Sequence, residues 1–247
     1  MRLKILLFAI LRERAGSDEL ELDDLPEPLD VAGLKRELES RRPELGSLAH
    51  VRGVVGTSYV PDDTPLESGT EVALLPPVSG GSGPTDRTSD EDLERGVFEI
   101  HAASLDPEDA RRRVAHPACG AVLVFSGMTR DTNRGEDVMR LDYEAFREMA
   151  GSEMDRIYSE CRARFGPESV DPDSGRAPAD RTLRMLTLHR TGTVEVGEAS
   201  VVIAVASPHR DAVFHACRFL IDELKARVPL WKKEVYSGGH HWIGDRS

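Results

Sequence analysis

Pro76-Pro77-Val78-Ser79-Gly80-Gly81, an apolar strand end closed by two glycines, stands near the middle of a 247-residue chain and divides it into halves of different character. Glycine has no Cβ, so a diglycine tail can thread a channel too narrow for other residues and present its last carbonyl to a second protein's reactive centre. Such tails are normally termini, whereas here Ser82-Gly83-Pro84-Thr85 follows. Gly80 to Gly83 also reads as flexible punctuation between domains, and the flanking sequence has to decide between the two. From Ser82 to Arg95 the chain is Gly, Pro, Ser, Thr, Asp and Glu with almost nothing apolar, which predicts a mobile linker. Extended, such a stretch spans at most about 45 Å.

A content of 39% hydrophobic and 31% charged residues places the chain among soluble globular proteins. No apolar run reaches the length of a membrane span, and Met1-Arg2-Leu3-Lys4 opens directly into alternating strand residues, so a cytoplasmic protein without a membrane partner is expected. The net charge of −12 argues against a nucleic-acid partner. Cys119, Cys161 and Cys217 are too scattered for a disulfide framework or a CxxC metal site, and read as small buried apolar residues. Neighbouring His240 and His241 on a strand point to opposite faces, so no metal and no cofactor is expected.

Working back from Gly81, residues 1–81 read as a small mixed domain. Leu3, Ile5 and Leu7 alternate with Lys4, Leu6 and Phe8 in a strand buried largely on both faces; Ala15 to Asp18 turns the chain, and Leu20 and Leu22 mark the returning strand. Leu34 and Leu38 sit four apart in a helix that Asp30 caps and that ends before Pro43. Strands around Val51 to Val55 and Glu71 to Leu75 complete a small sheet wrapped on one helix. This order, with Phe8-Ala9, Leu66 to Val72 and the Pro-Pro-Val-Ser-Gly-Gly ending, resembles the ubiquitin-like (β-grasp) sulfur carrier that is the small subunit of molybdopterin synthase. The resemblance implies that Gly81 is adenylated by an ATP-dependent activating enzyme and converted, with a sulfur donor, to a thiocarboxylate.

Forward of the linker, Val97 to Ile100 is strand-like, and Asp106-Pro107-Glu108-Asp109 has the cap, first-turn proline and acids of a helix start. Gly120 to Gly127 reads as a buried strand opening into a polar loop from Arg130 to Asp137, and Val138 to Ala145 as another strand. Met154, Ile157, Cys161 and Phe165 recur at helical spacing until Gly166-Pro167. Glu168 to Asp180 looks like a surface excursion. Two more strands, Leu183 to Leu188 and Ala199 to Ala206, lead to Ser207-Pro208, read as a cap and first-turn proline that put His209 and Arg210 in the first turn of a helix, where backbone N–H groups favour an anion. Val213, Phe214, Cys217, Leu220, Ile221 and Leu224 form that helix's core face.

The helix runs into Lys225-Ala226-Arg227-Val228-Pro229-Leu230-Trp231-Lys232-Lys233-Glu234. Lys225 and Arg227 suit a helix C-terminus electrostatically, but Lys232 and Lys233 lie beyond Pro229. On a strand, alternation places Lys232 and Glu234 on the face opposite Trp231 and Lys233, giving one ammonium a carboxylate neighbour. A lysine partly desolvated beside other cations can serve as base or nucleophile.

Phe125-Ser126-Gly127-Met128-Thr129-Arg130, Ser207 to Arg210 and Leu224 to Glu234 look like the signature stretches of the large, catalytic subunit of molybdopterin synthase, and the similarity runs from Gly96 to Trp242. Met128 departs from the basic residue some members carry, and Glu168 to Asp180 is longer than usual. The two resemblances imply an α+β chain: a β-grasp sulfur-carrier domain over residues 1–81, a linker over 82–95, and an α/β hammerhead-type catalytic domain over 96–247. They imply a sulfurtransferase converting cyclic pyranopterin monophosphate (precursor Z) into molybdopterin. Arg130, His209 and Arg210 would hold the phosphate, with Phe125, Met128, Thr129, Lys233 and Glu234 lining the substrate site. Lys225 and Lys232 would serve the chemistry at the Gly81 carbonyl, in a homodimer whose pockets take residues from both copies. Because Gly81 is followed by Ser82, and an amide cannot be adenylated, cleavage after Gly81 is expected. The alternatives are a scaffold with a permanently fused carrier domain, or a sulfur carrier for another pathway.

Overall fold

A computed structural model of the protein describes residues 1–76, 89–166 and 182–242. Gly81 and the thiocarboxylate chemistry assigned to it, the linker residues 82–88 and the Glu168 to Asp180 excursion therefore lie outside the described residues. The described residues fall into two compact units.

The first unit begins with β1 (Leu3–Leu7), a short helix α1 (Ala9–Ala15) and β2 (Glu19–Leu22). After β3 (Leu29–Asp30) comes α2 (Val31–Arg41), then β4 (Arg52–Val55), β5 (Ser58–Val60), β6 (Pro65–Leu66) and β7 (Glu71–Leu75). The main sheet runs β2-β1-β7-β4-β5, with β1 and β7 parallel and the other pairs antiparallel. The expected cap is present: Asp30 Oδ1 accepts from the Gly33 N–H at 2.7 Å, and α2 ends before Pro43. Leu34 and Leu38 are fully buried with Leu3, Ile5, Leu7 and Leu74 in one apolar core.

β1 differs from the reading of two buried faces. Leu3, Ile5 and Leu7 fill the core, while Lys4 and Leu6 are only half-buried, and Lys4 spans its neighbours to pair with Glu19 at 3.0 Å and Glu71 at 3.1 Å. Helix α1 is an addition, its start uncapped and without first-turn acids, so the sequence carries little signal for it beyond Gly16 ending it at φ 67°. β7, the strand nearest in sequence to Gly81, is the middle strand of its sheet.

The second unit begins earlier than expected. The last residues of the stretch read as linker form α3 (Asp90–Arg95), with a reciprocal capping box between Ser89 and Asp92. Leu93, the single apolar residue there, is buried among Val97, Ala110, Val114 and Leu186, and Arg184 donates to Asp90 at 2.8 Å. Composition alone hid a helix held by one side chain and its caps.

There follow β8 (Val97–His101), α4 (Pro107–Val114), β9 (Ala121–Met128), β10 (Thr132–Asn133), β11 (Glu136–Ala145) and α5 (Arg147–Phe165). The rest is β12 (Arg184–Arg190), β13 (Gly192–Glu195), β14 (Ala199–Ser207), α6 (Arg210–Arg227), β15 (Leu230–Tyr236) and β16 (Gly239–Trp242). One sheet has the order β8-β12-β14-β9. All nine residues of β14 are buried. Val201, Ile203 and Val205 pack against α5 and α6, while Val202, Ala204 and Ala206 join α3 and α4. This explains the uninterrupted apolar run, the pattern of a strand covered on both faces. A second sheet runs β10-β11-β15-β16, with β13 also on β11.

The Asp106 cap and the helical run ending at Gly166 form as expected, and Cys161 and Cys217 are buried in the core, where burial pushes their thiols up to about 12 and about 11. Three expectations change. β9 lies at a sheet edge and is only half-buried, with Val122 38% exposed. Phe214, expected in the core, is 59% exposed because it sits beside the Val213, Cys217, Leu220 and Leu224 stripe rather than on it. And α6 starts at Arg210 with His209 as its N-cap; Ser207 is the buried end of β14, so the proline precedes the helix instead of opening it. Among the described residues no helix is long and apolar enough to cross a membrane.

Candidate active site

Pro229 cannot continue α6, and Val228 turns to an extended backbone at φ −80° and ψ 129°, so β15 starts at once. Leu230 and Trp231, 0% and 1% exposed, anchor the strand. Period-two alternation then sets Lys232, Glu234 and Tyr236 on one face, opposite Tyr143 and Leu141 of β11 in register. Lys232 Nζ lies 3.1 Å from Glu234 Oε1, the ion pair that alternation predicted.

Glu234 is 4% exposed and its carboxylate is filled from inside the protein. Asn133 Nδ2 donates to Oε2 at 2.7 Å, and the Tyr236 hydroxyl donates to the same oxygen. Burial pushes this carboxyl up, but the Tyr236 and Asn133 hydrogen bonds and the Lys232 ammonium outweigh it and hold it below the usual carboxylate range. Glu234, expected to line the substrate site, thus has its contacts with protein groups.

Asn133 reaches Glu234 because the stretch read as a polar loop is a hairpin. Arg134 and Gly135, at φ 53° and 85°, make the two-residue turn between β10 and β11, the turn that needs left-handed backbone at both positions. An Arg-Gly pair between polar residues is the signal that would have revealed it. At the base of the hairpin Arg130 is exposed and its Nη2 donates to Asn133 Oδ1 at 3.4 Å. Thr129, expected at the substrate, is buried and holds the turn after β13 through its backbone, Thr129 N to Glu198 O and Gly197 N to Thr129 O, both 2.9 Å. Met128 is 51% exposed, and Phe125 packs against the core between the sheet and α6. Lys233 stands half-buried opposite Asp142.

The structure joins Arg130, Asn133, Glu234 and Lys232 and keeps His209 and Arg210 apart from Lys225. The latter stand at opposite ends of the 18-residue α6; fifteen residues at 1.5 Å each separate Arg210 from Lys225 by about 22 Å. Arg210 is exposed, and among the described residues its carboxylate neighbour is Asp211 at 3.8 Å. At the other end Arg227 fixes the helix: its guanidinium donates to Glu153 at 2.7 Å, Glu160 at 3.0 Å and Glu223 at 3.1 Å. Lys225, two residues earlier in the same last turn, is exposed on a helix end that does not fray freely.

Behind β11, His189 of β12 is buried, edge-on to Tyr143 at 5.0 Å between ring centroids. Its Nδ1 lies 2.8 Å from the Arg190 carbonyl, which only accepts, so the proton sits on Nδ1. Burial pushes this imidazole down to about 4. A base whose folded value lies below its unfolded value of about 6.5 contributes stability that is whole above pH 6.5 and lost as pH falls toward 4, about 3 kcal/mol in all. His189→Gln should flatten the fall in unfolding midpoint between pH 7 and pH 4.5; an unchanged slope in a pH series of thermal melts would refute the assignment.

The chain thus has a β-grasp unit and an α/β unit that carries a cluster of lysine and arginine side chains. The chain belongs to the MoaE protein family, whose model matches residues 100–227, more than half of its length, and the ThiS family model matches residues 5–81. The molybdopterin synthase catalytic subunit of Homo sapiens is 35% identical over 181 residues, 72% of this chain and 88% of that protein. That of Drosophila pseudoobscura pseudoobscura is 45% identical over 136 residues, 55% of this chain. This chain spans only about a third of the Drosophila protein, 34% of its length. A solved molybdopterin synthase from Staphylococcus aureus superposes with a TM-score of 0.51 at 28% identity, covering 64% of this chain and 99% of that one.

Proposed function

We propose that this chain is a molybdopterin synthase in which carrier and catalyst are made as one polypeptide, acting on precursor Z in the cytoplasm. The observation that carries the reading is the connected site: an exposed guanidinium, Arg130, and an ammonium, Lys232, held on one hydrogen-bonded path through Asn133 and Glu234. A guanidinium suits a phosphate, and an amine suits proton transfer or transient acyl capture. Each thiocarboxylate sulfur forms a C–S bond at a pterin side-chain carbon in place of a C–O bond, whose oxygen leaves with the opened phosphate ester or as water. The acyl–sulfur bond then breaks as the glycyl group passes to water, regenerating the Gly81 carboxylate, or transiently to a lysine amine, and two carriers supply the two dithiolene sulfurs.

Two requirements follow. The adenylated group must be a free carboxylate, so the peptide bond after Gly81 is cut before an ATP-dependent activating enzyme and a sulfur donor can load it. And since His209 and Arg210 lie about 22 Å along α6 from Lys225, they join that lysine only from a second copy of the chain, which supports a homodimer with shared pockets. The half-buried edge strand β9, carrying Val122 and Met128, is a suitable place for the second copy.

Mass spectrometry of protein from its native host tests the reading. A species ending at Gly81, with the mass change of sulfur for oxygen, is expected. An exclusively intact chain that makes molybdopterin without added carrier would refute the cleavage requirement, and an intact chain with no product would favour the scaffold alternative.

A further inference from the structure

The path between Arg130 and Lys232 runs through one uncharged side chain, and we infer that Asn133 is a positioning residue that latches the anion-binding hairpin to the lysine-bearing strand by splitting its amide between Arg130 and Glu234. This rests on the function proposed above.

The amide's orientation is fixed by chemistry. A carboxylate only accepts, so the group 2.7 Å from Glu234 Oε2 must be Nδ2, and Oδ1 is left facing the guanidinium, which only donates. An uncharged amide donates to the anion and accepts from the cation at two separate atoms, whereas a hydroxyl would have to do both through one oxygen. The tight turn at Arg134-Gly135 sets the register, with Asn133 opposite Glu136; a one-residue slip would carry the amide to the other face of the hairpin. Nδ2 also approaches the Tyr236 hydroxyl at 3.4 Å, so the same atom touches both β15 groups that order the lysine's counter-ion. Glu234 is thereby held where it meets Lys232, and Arg130 where its fork faces solvent.

Asn133→Asp keeps size and shape but replaces the donor with a second anion. The titratable groups around it are Arg130 and Glu136 from the hairpin, Tyr143 from β11, and Lys232, Glu234 and Tyr236 from β15. The introduced carboxylate keeps one oxygen toward Arg130 at the amide's 3.4 Å, but its other oxygen takes the place of Nδ2, 2.7 Å from Glu234 Oε2, so the closest new contact is between two carboxylates. Two carboxylates at hydrogen-bond distance cannot both stay ionised without cost, and one takes up a proton at higher pH than usual. Once protonated, the introduced carboxyl donates to Glu234 as the amide does.

The test measures molybdopterin formation by the full chain supplied with thiocarboxylated carrier and precursor Z, at pH 8 and pH 5.5, each variant relative to wild type. Asn133→Ala should lose about tenfold at both values, as one charge-assisted hydrogen bond implies. Asn133→Asp should be worse than Asn133→Ala at pH 8 and better at pH 5.5. A purely steric role predicts Asp above Ala at both, and that result, or an Asp variant equal to wild type at pH 8, overturns the inference. The reversed pair, Asn133→Asp with Glu234→Gln, restores one amide and one carboxylate and should exceed Asn133→Asp at pH 8; no recovery also overturns it. If the single Asp variant does not fold, the reversed pair is compared with Asn133→Ala under the same expectation. Wild-type turnover in the same assay tests the proposed function by itself, so the two failures are distinguishable.

Discussion

Neither Lys232→Ala nor Arg210→Ala alone should approach wild-type molybdopterin formation, and an equimolar mixture of the two, allowed to exchange subunits, should recover about a quarter of wild-type turnover. The lysine reaches the chemistry from β15 and the arginine stands at the far end of α6. If each pocket takes Lys232 from one copy and Arg210 from the other, a mixed dimer contains one intact pocket and one lacking both residues. Random exchange makes half the dimers mixed, and half the pockets of those are intact. Loss of the acid–base or acyl-accepting lysine costs on the order of 10²- to 10⁴-fold and loss of the arginine's charged phosphate contact roughly 10- to 100-fold below saturating substrate, so the recovery stands above either parent. A mixture no more active than its parents, with exchange verified by native mass spectrometry, would show that the pocket is built within one chain.

Local features were legible in the sequence because short-range geometry decides them. Asp30 and Asp106 cap as their positions imply, and Lys232 and Glu234 meet because a strand repeats every two residues. What escaped depends on contacts far along the chain. Nothing near Asn133 announces that it will hydrogen-bond to a residue 101 positions away. Arg227 likewise looks like an ordinary cation at a helix end, and its partner Glu153, an acid in the middle of another helix, looks like a solvated residue until α5 and α6 pack. Leu93 had too little company to stand out in a polar stretch, and His209 took the cap position because Ser207 was already committed to β14.

Arg227→Ala should lower the stability of the second unit by about 2 to 3 kcal/mol, below the 3 to 5 kcal/mol typical of a broken buried pair. Glu153 is the reason for both the size and the discount. Its side chain is 6% exposed, so losing the guanidinium at 2.7 Å leaves a carboxylate out of water. Arg156, at 2.8 Å from its other oxygen, remains as a partner, although it is itself 48% exposed and so more weakly held. Glu160 and Glu223, 40% and 31% exposed, recover hydration and add little. For a chain of this size the loss corresponds to a midpoint shift of roughly 5 to 10 °C. Lysine is no substitute, since one ammonium cannot reproduce a fork that serves three carboxylates across two helices. Because Lys225 rides on the same last turn, turnover should fall with stability in Arg227→Lys even where the protein remains folded. The cause is separable by adding Glu153→Gln to Arg227→Met, which removes the stranded charge: calorimetry of the full chain should show the transition returning most of the way to wild type. A double variant as unstable as Arg227→Ala, with methionine supplying the stem's packing, would mean that the stranded carboxylate contributes nothing and that the loss lies in the guanidinium's bonds to Glu160 and Glu223.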